Sequence, residues 1–180
     1  MGLWFGDVLK RHEQLNSWLL HDRPARYWLA GFFNPQGFLT SVKQEVTRAH
    51  KAESWALDSV DLRTEVQKGD VDRAPSEGVY VVGLYIDGAG WDRGKCKLRE
   101  SAPKELIREI PPLWVTAAEV NKTAAAAAAG ARGAGKVAQQ RYRCPVYRNG
   151  MRRDENFIFD VELPCDEDPA ARPPPPPPHP

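Results

Sequence analysis

Apolar side chains recur at helical spacing in the first third of the chain and alternate every second residue later on. From Leu3 to Leu20, Trp4, Phe5, Val8, Leu9, Leu15, Trp18 and Leu19 fall on one broad face, with Lys10, Arg11, Glu13 and Gln14 outside it. That spacing predicts an amphipathic helix. His21-Asp22-Arg23-Pro24 ends it, because a residue before proline is pushed out of the helical region. A dense run follows at Tyr27, Trp28, Leu29, Phe32 and Phe33, and its aromatic content reads as core. The run breaks at Asn34-Pro35 and resumes with helical spacing at Phe38, Leu39, Val42 and Val46. Asn34 suits an N-cap, since its side-chain oxygen can accept from an orphan amide of the first turn. Pro35 suits the first helical position, where no amide hydrogen is needed. Gly37 weakens the signal, because it stands where a capping-box Glu or Gln would go. This second helix should run to about Ala49, with Lys43, Gln44, Glu45 and Arg48 in water and His50 placed to meet the helix dipole.

The period then changes. Val60, Leu62, Thr64 and Val66 alternate with Asp61, Arg63 and Glu65, the pattern of a strand with one wet face. Gln67 to Gly78 is polar and rich in turn residues, hence a loop. Val79 to Ile86 is apolar on both faces and predicts one central strand, with Gly83 allowing a bulge or close approach. Asp87 to Gly94 supplies turn chemistry around Trp91, and Lys97 to Glu100 can return as a short strand. Pro111-Pro112 introduces a strand over Leu113 to Ala117. Pro145 interrupts the strand Tyr142 to Tyr147, which should therefore lie at an edge or bulge. In the last strand Phe157, Phe159, Val161 and Leu163 alternate with Ile158, Asp160 and Glu162. Helices followed by runs of strands predict an α+β fold: N-terminal helices, then an antiparallel, barrel-like β-sheet.

The 180 residues carry 25 Lys and Arg against 24 Asp and Glu, a net charge of +1. A balance so near zero gives no electrostatic case for nucleic acid or an anionic membrane. No run approaches the roughly 20 apolar residues of a membrane span, and no basic stretch precedes an apolar one at the N-terminus. Gly6 stands where a myristoylation signal has a small hydroxyl residue. Cys96, Cys144 and Cys165 are odd in number and share no metal-ligand spacing, so a reduced, cytosolic or cytoskeletal protein is expected.

Candidate chemistry is sparse. Gly130 to Val137 falls one residue short of a phosphate-binding loop. Such a loop wraps phosphates with glycine amides, reaches them with a lysine like Lys136, and holds magnesium through a hydroxyl that Val137 lacks. Six alanines rather than a strand precede it, so the pattern is low-complexity sequence. His12, His21, His50 and His179 lack a carboxylate or cysteine at ligand spacing and read as solvated or capping residues. No serine sits in a nucleophile-elbow sequence and no cysteine has a basic setting. No catalytic, cofactor or metal site is therefore expected. Pro173 to Pro178 will adopt extended polyproline helix, which SH3- or WW-type domains can bind.

GFFNPQGFLT (Gly31 to Thr40), KQEVTRAHK (Lys43 to Lys51) and WALDSV (Trp55 to Val60) together resemble the C-terminal domain of axonemal dynein heavy chains. The resemblance continues through the Gly88 to Asp92 turn, PPLWV at Pro111, Tyr142 to Tyr147 and Arg152-Arg153-Asp154, spanning about Leu3 to Pro164. TRAHK and RRD lean toward the outer-arm, gamma-like class. Two segments depart from the family: the Ala/Gly-rich insertion 121–140, and the end. After Pro164 the family continues into a Trp-bearing final strand, whereas here the sequence reads CDEDPAARPPPPPPHP. The sheet should then be incomplete at that end and expose an edge.

The expected organisation is one dynein-like domain over 1–164, helical over 1–54 and β over 55–164, then a disordered Pro-rich tail over 165–180. Met1 running straight into an apolar helix suggests an element cut from a longer polypeptide. The resemblance implies a non-catalytic fragment of an ATP-driven motor of the cilium or flagellum axoneme, whose ATPase sites lie elsewhere. Its expected partners are the AAA+ ring of a heavy chain and other dynein subunits, contacted through Trp4, Trp18, Trp28, Phe32 and Phe33. The alternative is a free-standing interaction module that presents its proline tail to a polyproline-binding domain.

Overall fold

The computed structural model describes residues 2–21, 23–105, 107–120, 141–150 and 153–165. The fold is α+β, as predicted. Helix α1 (Gly2–His21) leads through a linker into strand β1 (Tyr27–Trp28) and a 3₁₀ turn (Leu29–Gly31), then helix α2 (Pro35–Ala49) and a second 3₁₀ turn (Lys51–Glu53). The strands that follow are β2 (Val60–Val66), β3 (Val79–Val82), β4 (Tyr85–Asp87), β5 (Ala89–Asp92), β6 (Lys97–Glu100), β7 (Ile107–Glu109), β8 (Leu113–Glu119), β9 (Arg141–Tyr147) and β10 (Phe157–Pro164).

The cap of α2 forms as the sequence predicts. Asn34 Oδ1 accepts from the Gly37 amide at 2.8 Å. Gly37 turns out to favour the cap, because a Cβ there would sit 2.7 Å from Asn34 Nδ2. Leu39, Val42 and Val46 form the buried stripe of the helix, which packs on β8 and β2. Asn34→Ala should cost about 1 kcal/mol through loss of that capping bond; a chemical-denaturation midpoint unchanged from wild type would refute it.

The strands make two four-stranded sheets, ordered β1-β3-β8-β2 and β10-β9-β4-β7, and the β5-β6 hairpin. They do not close into a barrel. Their ladders are antiparallel except for β1, which runs parallel to β3. The apolar run Val79 to Ile86 is divided rather than continuous, and this division gives the two sheets. Val79–Val82 pairs in the first sheet and Tyr85–Asp87 in the second. The backbone passes between them at Gly83, which has a φ of 75°. The Asp87–Gly94 segment, predicted as a turn, contains β5, and Trp91 in it is buried.

Strand β9 lies between β10 and β4, but it meets β4 at Tyr85↔Tyr147 alone. Pro145, opposite Asp160 of β10, lies beyond that ladder and is exposed, so its missing N–H is tolerated as at an edge. A bulge between Phe157 and Phe159 shifts the β10 register, and Ile158 is buried as a result. Strand β10 is the outer member of its sheet, and just beyond it Cys165 bridges to Leu98. The main core runs between the sheets and under α2, and a smaller cluster of Val46, Val60 and Ala117 lies beneath the end of that helix. Leu29, Val81, Leu84, Ile86, Leu113, Val115, Val146, Val161 and Leu163 are almost fully buried in the main core.

Candidate interaction surface

Helix α1 is mounted by its polar side. Gln14 Oε1 accepts from the Trp28 amide at 2.5 Å, and Gln14 Nε2 donates to the Trp28 carbonyl at 3.3 Å. Lys10 lies over the Trp28 ring at 5.6 Å, and Arg11 over the Phe33 ring at 5.4 Å. The edge of Trp18 meets Tyr27 at 5.3 Å, Phe32 at 6.2 Å and Phe38 at 6.4 Å. Positions 11, 14 and 18 follow one another at helical spacing, so this stripe faces the domain.

The apolar stripe therefore points away from the domain. Trp4, Phe5, Val8, Leu9, Leu15, Leu19 and Leu20 are all exposed, Trp4 by 71% and Leu19 by 75%. A soluble helix ordinarily turns such a stripe inward, and a contiguous exposed apolar patch marks a surface meant to be covered. Gln14 supplies the hydrogen bonds that hold this orientation, beside the Trp18 ring contacts. Its paired bonds to one backbone unit fix the rotation of the helix, and replacing it should free α1 without unfolding the sheets. Gln14→Ala is expected to raise protease cleavage within α1 by several-fold while the core stays protected, and equal cleavage of both proteins would count against it.

The five aromatic residues expected to make contacts are placed differently from one another. Trp4 stands on the exposed stripe, and Phe33 is 91% exposed beneath Arg11. Trp18 lies at the edge of the mounting cluster and is 39% exposed. Phe32 is partly buried and stacks on Phe38 at 4.6 Å. Trp28 is half-buried, wedged where Gly31 and Gly83 lack a Cβ. Sequence periodicity finds the apolar stripe but not its direction, and it misses the role of Gln14. Nothing local to residue 14 distinguishes it from Glu13.

Little else in the described residues suggests chemistry. A cleft of about 1140 Å³ opens between α1 and the β3–β4 corner. Asp7, Glu13 and Glu109 line it together with Lys10, Arg26 and Arg93, so it favours neither sign of charge. Burial pushes the Cys144 thiol up to about 12, far from a reactive thiolate. Among the described residues, no three His, Cys, Asp or Glu side chains are placed to hold a metal. No helix among them is long and apolar enough to cross a membrane. The phosphate-loop-like segment and the proline tract lie outside the described residues.

A family model for the C-terminal domain of the dynein heavy chain matches residues 1–173. The protein belongs to this family of dynein C-terminal domains. It is 44% identical over 166 residues to dynein axonemal heavy chain 8 of Homo sapiens, covering 91% of this chain and 3% of that protein. It is 43% identical over 166 residues to dynein axonemal heavy chain 5 of Mus musculus, again 91% and 3%. Against the dynein gamma chain of the flagellar outer arm of Chlamydomonas reinhardtii it is 47% identical over 120 residues, 64% of this chain and 3% of that one. It thus spans about 3% of the length of these relatives. None of these matches supports a polyproline-binding partner.

Proposed function

We propose that this protein acts as the C-terminal packing domain of an axonemal dynein heavy chain, held against the AAA+ motor ring and modulating it. It serves microtubule-based movement of cilia or flagella and performs no catalysis itself. The observation that carries this reading is the outward apolar stripe of α1 on a domain whose relatives are heavy chains far longer than itself. A helix at the start of a C-terminal domain, clamped by polar bonds on one side and apolar on the other, is suited to be covered by preceding parts of such a heavy chain. The exposed Trp4 and Phe33 belong to the same covering contact, with Trp18, Trp28 and Phe32 supporting it from beneath.

The test is reconstitution of this protein with a separately expressed AAA+ ring of an axonemal heavy chain. Phe5→Asp with Leu9→Asp removes two large apolar groups, each contributing about 1.5–3 kcal/mol when covered. Loss of about 3 kcal/mol weakens association roughly 100-fold, while both residues are exposed and the isolated fold should stand. The same pair should make the isolated protein more soluble. Undiminished binding by the double variant would refute the assigned surface. Saturable ATP binding or ATPase activity by the purified protein would refute the non-catalytic role.

A further inference from the structure

We infer that His50 is a protonation-gated clasp: as an imidazolium it ties the end of α2 to the loop entering β3, and on losing its proton it keeps a hydrogen bond to one of its two carboxylates only, which loosens that loop.

The geometry requires both ring nitrogens to carry hydrogen. Nδ1 lies 2.9 Å from Glu53 Oε1 and Nε2 lies 2.6 Å from Glu77 Oε2. An ionised carboxylate accepts and cannot donate, whereas a neutral imidazole has one donor. Neutral His50 would thus turn a lone pair toward one of the two carboxylates. Glu53 comes from the turn after α2, and Glu77 from the loop before β3. The third group packed on the ring is the indole of Trp55, stacked at 4.2 Å with an interplanar angle of 16°. The His50 backbone amide also donates to the Val46 carbonyl and closes the helix.

Residues 77 and 78 are a junction, so loosening there has reach. The other oxygen of Glu77 accepts from Thr116 Oγ1 at 3.0 Å, and its carbonyl accepts from Trp114 Nε1 at 2.8 Å, both from β8. Arg23, from the linker between α1 and β1, donates to the Gly78 carbonyl and pairs with Glu45 of α2 at 3.7 Å. The clasp accordingly joins the end of α2 to the first sheet, beside the point where Arg23 ties the linker after α1 to the same loop. It is a regulatory contact distinct from the packing surface and does not depend on it.

The hydrogen bonds that the ring donates to Glu77 and then to Glu53 raise the His50 pKa above the ordinary 6.5. A group raised in the folded state contributes its full stability below its unfolded pKa and loses it as pH rises through the folded one. The clasp is therefore closed at pH 6.5 while both carboxylates are ionised, and it opens as pH rises through the folded midpoint above that value.

The experiment is an NMR titration of the His50 ring in the 180-residue chain, paired with hydrogen exchange of residues 67–78 corrected for intrinsic rates. Wild type should titrate above 6.5 and lose loop protection as pH passes the midpoint. Glu77→Gln keeps an acceptor for Thr116 and should shift the midpoint downward with the fold intact. His50→Gln should abolish the pH dependence of loop exchange. A wild-type midpoint at or below the ordinary 6.5 would overturn the proposal. Loop protection indifferent to pH would do the same, as would pH dependence surviving in His50→Gln.

Discussion

Gly83→Val is expected to destabilise the protein by about 2–5 kcal/mol, measured as the shift in a urea or guanidinium unfolding midpoint. Two costs add. A branched residue forced to the left-handed backbone of Gly83, φ 75°, loses roughly 1–2 kcal/mol. The new Cβ would also lie 2.3 Å from Trp28 Cδ1, and such overpacking costs about 1–3 kcal/mol when the neighbour must shift. The Trp28 ring has little room to yield, because Gly31 presses on it from the other side, where a Cβ would lie 2.4 Å from Cε3, and its backbone is bonded to Gln14. The variant should therefore loosen α1 as well, and cleavage within α1 should rise along with the loss of stability. Gly69→Ala is the control, since a Cβ there meets nothing within 4 Å. A change below about 0.5 kcal/mol is expected for it, the usual range for featureless surface positions. Equal stabilities of Gly83→Val and wild type would show that the sheet crossing does not need a glycine.

Leu113→Ala should cost about 2–5 kcal/mol, as a large-to-small change in a packed core does. Leu113 is fully buried in β8, the strand that pairs with both β2 and β3. It lies opposite Val66 on one side and Val81 on the other, so a cavity there would be walled by two ladders that cannot easily collapse inward. Exposed Leu57 gives the comparison: Leu57→Ala should leave the unfolding midpoint nearly unchanged. A loss under about 1 kcal/mol for Leu113→Ala would place the structural centre elsewhere.

The local elements are legible wherever a residue's conformation depends on its immediate neighbours. Asn34-Pro35 announces the start of α2, and the alternation from Val60 to Val66 covers the same residues that β2 occupies. Val79 to Ile86 is harder. A run apolar on both faces is the same string whether it stays in one sheet or passes from one to another at its glycine. Trp91 reads as part of a turn because glycines and aspartates surround it, yet tertiary burial makes its segment a strand. Ile158 falls on the wet face of a regular alternation, and the bulge beside it brings the side chain inward.

His50 shows a similar limit at the level of a site. Its place at the end of a helix is visible in the sequence, and so is Glu53 nearby. Glu77 lies 27 residues away, and only the return of the backbone along the first sheet sets it against the second ring nitrogen.

The sequence by itself determined the α+β class, the cap of α2 and the presence of an apolar stripe on α1, because each depends on short-range spacing, and the family through the resemblance of whole segments such as Gly31 to Thr40. The tertiary structure alone decided that the stripe faces outward, that the strands separate into two sheets at Gly83, and that His50 is held between two carboxylates. These depend on contacts between residues distant in sequence, where the direction of a face or the partner of a charge is set by packing and not by periodicity.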